Sequence, residues 1–145
     1  MRIGLDVMGG DFAPVAAIDG AILAAKELSS SDKIILIGPE DVIRSLLHER
    51  GCDASTFGIV HAPDVIEMGE HATKALSRKP ESSINVGFHM LKHKKIDSFA
   101  SAGNSGAMLV GSIFSVNTIQ GIARPCTSAI IPQEDGGFSL LVDVG

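Results

Sequence analysis

Residues 101–107, Ser-Ala-Gly-Asn-Ser-Gly-Ala, combine the residue types that bind a phosphate group. They lie between a short strand-like run and a long apolar segment with the character of a helix. Gly103 and Gly106 let the backbone turn tightly, while Asn104 and Ser105 add donors where a helix presents unpaired N–H groups and its positive dipole end. The segment is therefore predicted to bind phosphate. A purely structural interpretation fits equally well, with Asn104 as an N-cap and Gly106 placed for helix–strand packing.

Two carboxylates, Asp6 and Asp11, flank the Gly9-Gly10 pair at the end of the first predicted strand. Carboxylates this close can perform acid–base chemistry, so both are candidate catalytic residues together with Asn104. In the structural alternative, Asp11 caps the first helix and Asp6 accepts hydrogen bonds from loop N–H groups.

Lys79 and Ser82, with Arg78 and Ser83 beside them, place cations and hydroxyls before a predicted helix start. This cluster suits a phosphate or a phosphopantetheine arm. The alternative is a solvated basic helix end followed by a serine N-cap. Glu67 and Glu70 form another acidic pair, which we expect to be solvated.

His89 and His93 stand four residues apart on a predicted helix and share one of its faces. No HExxH pattern accompanies them, and the neighbouring lysines indicate that this basic helix end complements the negative end of the dipole. We therefore predict no metal site. His61 and His71 are candidate general bases near the strand ends, although a lone histidine there is usually only hydrogen-bonded.

The composition is typical of an α/β domain, with 145 residues, 45% hydrophobic, and a net charge of −5. An acidic chain is a poor partner for nucleic acid. Neither the GxGxxG nor the GxxxxGK[ST] fingerprint occurs, so no cofactor is predicted. The two cysteines form no CxxC pair and no signal peptide begins the chain, which favours the cytoplasm.

Short apolar runs alternate with amphipathic segments along the chain. Strands are predicted at 2–7, 34–37, 57–61, 96–100, 127–131 and 138–144, and helices after residue 11, at 39–50, at 69–79, from Ser82 or Ser83, and after the 101–107 turn. This alternation predicts a Rossmann-like α/β fold, a mostly parallel sheet with helices on both faces. Ligands bind at the carboxyl ends of such strands, which places residues 8–11, 62–67 and 101–106 on one rim. We expect residues 1–145 to form a single α/β unit, the N-terminal part of a longer enzyme.

Five motifs, in the same order, resemble the bacterial phosphate acyltransferase family of phospholipid synthesis. They are residues 3–14 (IGLDVMGGDFAP), 65–68 (VIEM), Lys79 with Ser82-Ser83, 101–107 (SAGNSGA) and 140–145 (LLVDVG). The resemblance implies a fold akin to phosphotransacetylase and isopropylmalate dehydrogenase. It also implies a homodimer attached peripherally to the inner face of the cell membrane.

The reaction implied by the resemblance moves a long-chain acyl group from acyl carrier protein to inorganic phosphate. The acyl phosphate formed would feed a glycerol-3-phosphate acyltransferase. On this hypothesis Gly103, Asn104, Ser105 and Gly106 hold phosphate as it attacks the thioester carbonyl. Lys79 and Ser82 would steady the phosphate or the pantetheine arm, and Asp6 or Asp11 would order the rim. No role is transferred to Gly69 or His71, which stand at variable family positions.

Two alternatives remain open. One is another enzyme of the phosphotransacetylase superfamily, or of the related decarboxylating dehydrogenases. The other is a non-catalytic anion-binding domain.

Overall fold

The computed structural model describes residues 1–144; Gly145, the last residue of the closing motif, lies outside them. The elements in chain order are β1 (Arg2–Asp6), α1 (Val15–Glu27), β2 (Lys33–Gly38), α2 (Glu40–Glu49), a 3₁₀ turn (Ala54–Thr56), β3 (Gly58–His61), α3 (Ala72–Arg78), α4 (Ser83–Lys92), β4 (Ser98–Ala100), α5 (Ser105–Val116), β5 (Ser128–Pro132) and β6 (Phe138–Val142). Every predicted strand and helix is present, with ends that shift by up to three residues.

Four strands form one parallel sheet in the order β3-β2-β1-β4. The parallel pairing arises because a helical crossover follows each of the first three strands. The predicted α/β class and parallel sheet are therefore confirmed. Within the described residues, no helix is long and apolar enough to cross a membrane.

Helices cover both faces of the sheet, as predicted. On one face Ile34 and Leu36 of β2 pack with Ile18 of α1 and with Leu47 of α2. Side chains alternate along a strand, so Phe99 of β4 points to the other face, where Phe88 of α4 meets it edge-on with ring centroids 5.2 Å apart. Each helical layer therefore has its own apolar cluster against the sheet.

Three of the four helix-end residues that the sequence predicts have the expected role. Gly51 adopts φ +61° directly after α2, as expected of a left-handed cap. Asn104 and Ser82 are the N-caps of α5 and α4. The prediction that Asp11 caps α1 is wrong, because the helix begins three residues later, after Pro14, and carries no side-chain cap.

β5 and β6 form an antiparallel hairpin around residues 133–137, as the Gly136-Gly137 turn predicts. The hairpin is a separate two-stranded sheet. Its β6 residues are all exposed, whereas those of β2 are mostly buried. The site is therefore built by the parallel sheet and its loops.

Candidate phosphate-binding site

The strand order creates a crevice between the carboxyl ends of β1 and β4. From β1 the chain turns toward β2 on one side, while β4 lies on the other side and leads into α5. At such a switch point two neighbouring loops diverge and leave room for a ligand. The loops that follow β1 and β4 are the two with the glycine-rich motifs, so the fold brings both motifs to one place.

The buried carboxylate of Asp6 ties these two loops together. Asp6 is 2% exposed. Its Oδ1 accepts a hydrogen bond from Met8 N at 2.9 Å, and its Oδ2 accepts one from Ser101 Oγ at 2.7 Å. Ser101 Oγ in turn accepts from Gly103 N at 3.0 Å. Asp6 therefore positions the loop that follows β4, and its expected acceptance of loop N–H groups is met at Met8.

Gly9 and Gly103 bring the two loop backbones into direct contact. A Cβ atom added at Gly9 would lie 2.5 Å from Gly103 N and 2.8 Å from Asp6 Oδ2. Only a residue without a side chain fits at position 9. The Gly-Gly pair after β1 thus permits close approach of two backbones.

The first turn of α5 presents free donors at this crevice. The N–H groups of Ser105 and Gly106 make no hydrogen bond within residues 1–144, and neither does the exposed Ser105 hydroxyl. These donors lie at the positive end of a 12-residue helix. Free N–H groups and the helix dipole together suit an anion.

Both polar atoms of the Asn104 side chain make hydrogen bonds within the protein. Its Oδ1 accepts from Ala107 N at 2.9 Å, which is the N-cap bond of α5. Its Nδ2 donates to the carbonyl oxygens of Glu67 at 3.0 Å, Met68 at 3.3 Å and Glu70 at 3.0 Å. Two amide hydrogens shared among three carbonyls leave no donor for a ligand. The expected donation from Asn104 to phosphate is corrected: this residue fastens the 67–70 segment to α5.

Lys79 also makes hydrogen bonds to the 65–70 loop. Its Nζ lies 2.6 Å from Glu70 Oε2 and 2.6 Å from the Val65 carbonyl oxygen. The hydrogen bond from Lys79 lowers the pKa of Glu70 below its usual value, as does a second one from Glu67 N. Lys79 therefore stabilises the 65–70 loop instead of presenting a free cation, and the expectation that Glu70 is merely solvated is wrong.

Ser82 is fully buried, and its Oγ accepts the α4 capping bond from Asn85 N at 3.4 Å. It cannot reach a phosphate or a pantetheine arm in this structure, so that expectation is corrected in favour of the N-cap. Asp11 stays exposed in the loop after β1 and is placed beside the crevice.

His61, His89 and His93 make local contacts. His61 Nδ1 accepts from Glu40 N at 3.2 Å, at the start of α2. His93 Nδ1 is 2.8 Å from the His89 carbonyl oxygen, and the two rings stack 4.1 Å apart. Residues 1–144 contain no cluster of three or more side chains that could hold a metal ion.

Sequence reasoning missed Ser101 as a site residue, although it stands inside the quoted motif. Its role depends on Asp6, 95 residues earlier in the chain. The parallel pairing of Leu5 with Ala100 makes the two residues neighbours. A predicted strand order would have been the signal needed to find this contact.

Comparison with known proteins identifies the family of the chain. The chain matches the family described as "Fatty acid synthesis protein" over residues 1–145. It is 41% identical to a phosphate acyltransferase of Dictyoglomus turgidum and 43% identical to one of Acetivibrio thermocellus. Each match covers 100% of this chain, which spans only 43% and 42% of the length of those relatives.

Two solved structures share the fold. A phosphotransacetylase from Streptococcus pyogenes superposes with a TM-score of 0.64 over 99% of this chain and 46% of its own. The EutD phosphotransacetylase from Staphylococcus aureus gives 0.60 over 97% of this chain and 44% of its own. Both are 16% identical to it, which establishes the architecture alone. By its match over the full sequence, the chain belongs to the fatty acid synthesis protein family.

Proposed function

We propose that this chain supplies the phosphate-binding part of an enzyme that transfers an acyl group to inorganic phosphate. The observation that carries the proposal is the pair of unpaired N–H groups of Ser105 and Gly106, at the positive end of α5 and beside the β1–β4 crevice. Relatives named phosphate acyltransferase support the reaction class. The chain then forms the N-terminal part of a longer enzyme, as the length of these relatives suggests.

In the proposed reaction, phosphate is the nucleophile and the enzyme forms no covalent intermediate. A phosphate oxygen attacks the thioester carbonyl carbon, a C–O bond forms, and the C–S bond breaks. The thiolate of the carrier's pantetheine arm leaves and takes up the proton that the attacking hydrogen phosphate gives up, and acyl phosphate is released. Phosphate is already ionised at neutral pH, so positioning and charge stabilisation by fixed donors carry most of the catalysis.

The contacts divide the site residues into two groups. Ser105 and Gly106 bind the phosphate directly, with Gly103 shaping the turn before them. Asp6, Asn104 and Lys79 act through other residues, since their polar atoms hold the loops around that turn. Asp11 is exposed at the crevice and free to order the incoming substrate.

The proposal includes the partners implied by the family resemblance. Acylated acyl carrier protein is the donor, and a glycerol-3-phosphate acyltransferase consumes the product. The enzyme is a cytoplasmic homodimer associated peripherally with the inner face of the membrane.

Proline at position 105 tests the proposed phosphate contact. Proline is favoured at the first position of a helix, so Ser105→Pro removes one N–H and the hydroxyl while keeping α5. We expect inorganic phosphate to bind roughly tenfold more weakly, because each charge-assisted hydrogen bond contributes about 1.5–3 kcal/mol. Amide signals of isotopically labelled protein, titrated with phosphate, give the dissociation constant.

Ser105→Ala is the matched control, since it keeps the N–H group and loses only the hydroxyl. It should weaken phosphate binding less than Ser105→Pro does. Equal affinity in all three proteins would contradict the site. Turnover is measured as phosphate-dependent release of carrier-protein thiol from its acyl thioester; phosphate binding without turnover would instead favour a non-catalytic anion-binding role.

A further inference from the structure

The hydroxyl of Ser101 connects the buried carboxylate of Asp6 to the backbone of the 103–106 turn. Ser101 Oγ accepts a hydrogen bond from Gly103 N at 3.0 Å and lies 2.7 Å from Asp6 Oδ2. A carboxylate only accepts hydrogen bonds, so the single hydroxyl hydrogen of Ser101 points to Asp6. The direction of both bonds is therefore fixed, from Gly103 N–H to Ser101 and from Ser101 to Asp6.

Position 6 requires a carboxylate because two donors reach it from different loops. Its Oδ1 accepts from Met8 N at 2.9 Å, while its Oδ2 accepts from the Ser101 hydroxyl. An asparagine offers only one acceptor oxygen and would present an NH₂ group to one of these donors. Asp6 is 2% exposed, so water has little access to replace a missing acceptor.

Gly103 lies where the two loops meet and directly before the N-cap of α5. A Cβ atom added at Gly103 would lie 3.2 Å from Gly9 Cα. Asn104 follows as the N-cap, and the unpaired N–H groups of Ser105 and Gly106 come next. Because each peptide unit is planar, the position of Gly103 sets the direction in which the chain enters α5. The bond from Gly103 N to Ser101 therefore helps to aim these free donors.

We propose that Ser101 is a positioning residue for phosphate binding, through which Asp6 holds the N–H groups of Ser105 and Gly106 in the arrangement that receives the anion. The inference rests on the proposed function and adds a residue that acts without touching the ligand. Without the Ser101 hydroxyl the turn samples other arrangements, and the apparent affinity falls with the population of the competent one. A roughly fivefold loss of affinity corresponds to one lost hydrogen bond.

The test compares the dissociation constants for inorganic phosphate, from amide titrations, of Ser101→Ala, Asp6→Asn and the double variant. Ser101→Ala should bind phosphate roughly fivefold more weakly. Asp6→Asn should weaken binding too, and combining the two should add little, since both interrupt the same pair of hydrogen bonds. Asp6→Asn should also shift the amide signal of Gly103, to which residue 6 makes no hydrogen bond within residues 1–144. This shift should be much smaller when residue 101 is already alanine.

Ser112→Ala is the matched control for Ser101→Ala. Ser112 Oγ donates to the Leu109 carbonyl oxygen at 2.7 Å, so this variant also loses a serine hydroxyl that makes a short hydrogen bond. Ser112 lies about two turns further along α5, away from the free N–H groups. Its removal should leave phosphate affinity and the Gly103 amide signal unchanged.

The outcomes separate this inference from the phosphate site itself. Phosphate-induced shifts at Ser105 and Gly106 with equal affinity in Ser101→Ala would refute the role of Ser101 and leave the site standing. Additive effects of Asp6→Asn and Ser101→Ala, or an equal loss of affinity in Ser112→Ala, would also overturn it. If Asp6→Asn does not fold, the comparison of the two serine variants decides. No phosphate-induced shift in the parent protein would refute the site, and the inference with it.

Discussion

At the scale of residues, Asn104 shows how a polar side chain can be essential without touching a ligand. It caps α5 and holds three carbonyl groups of the 67–70 segment, at only 6% exposure. Asn104→Ala removes the cap and the amide donor to the carbonyl groups of the 67–70 segment. The free energy of unfolding should fall by about 1–3 kcal/mol, the sum of a lost cap and of lost hydrogen bonds. Chemical denaturation measures this change.

Asn104→Ser separates the two contributions, because serine keeps the capping oxygen and loses the amide donors. Its loss of stability should be intermediate, and amide exchange should accelerate in residues 65–70 in both variants. If Asn104→Ala were as stable as the parent protein, the hydrogen bonds between Asn104 and this segment would contribute nothing to stability.

The chemistry of residues 101–107 could be predicted from sequence, but the partners of their side chains could not. Asn104 accepts locally, from Ala107, and this is the part that its identity and position predict. Its amide donates to carbonyls 34 to 37 residues earlier. The ion pair between Lys79 and Glu70 likewise involves a loop whose sequence has no repeating pattern. Contacts of this kind depend on the tertiary fold, which a single sequence does not encode in its local spacing.

At the scale of elements, the contact between the loops after β1 and β4 depends on Gly9. A Cβ there would lie 2.5 Å from Gly103 N, a backbone atom that cannot swing away as a flexible side chain would. Gly9→Ala should therefore push the loops apart and weaken phosphate binding at least as much as Ser105→Pro does. The dissociation constant for inorganic phosphate and the amide shift of Gly103 report the two effects.

Gly69→Ala is the control for this substitution, since a Cβ at Gly69 meets nothing within 4 Å. It should leave phosphate affinity unchanged. Gly9→Ala with normal affinity would show that the close approach of the two loops is not needed for the site.

Hydrophobic periodicity was sufficient to predict the elements themselves. The apolar run of β2 predicts a strand buried on both faces, and Gly51 predicts the end of α2. The prediction that Asp11 caps α1 failed, because two glycines and a proline around it allow the chain to continue as a loop before α1 begins. A capping residue type marks a helix start only where the backbone takes the geometry of a cap.

At the scale of the whole molecule, the order β3-β2-β1-β4 brings the two glycine-rich motifs together. Alternation of strands and helices predicts a parallel sheet, but several strand orders satisfy it. The observed order places the switch point between β1 and β4, where the loops that carry the two motifs meet at Gly9 and Gly103.

The same architecture predicts that the β5–β6 hairpin adds little to the stability of the parallel sheet. The two strands pair with each other, and the residues of β6 are exposed. Because few apolar side chains of residues 127–144 are buried, their removal should cost little hydrophobic free energy. A chain ending at Cys126 should keep a cooperative thermal transition within about 5 °C of the parent, measured by circular dichroism. Loss of that cooperative transition would show that the hairpin belongs to the folding unit of the sheet.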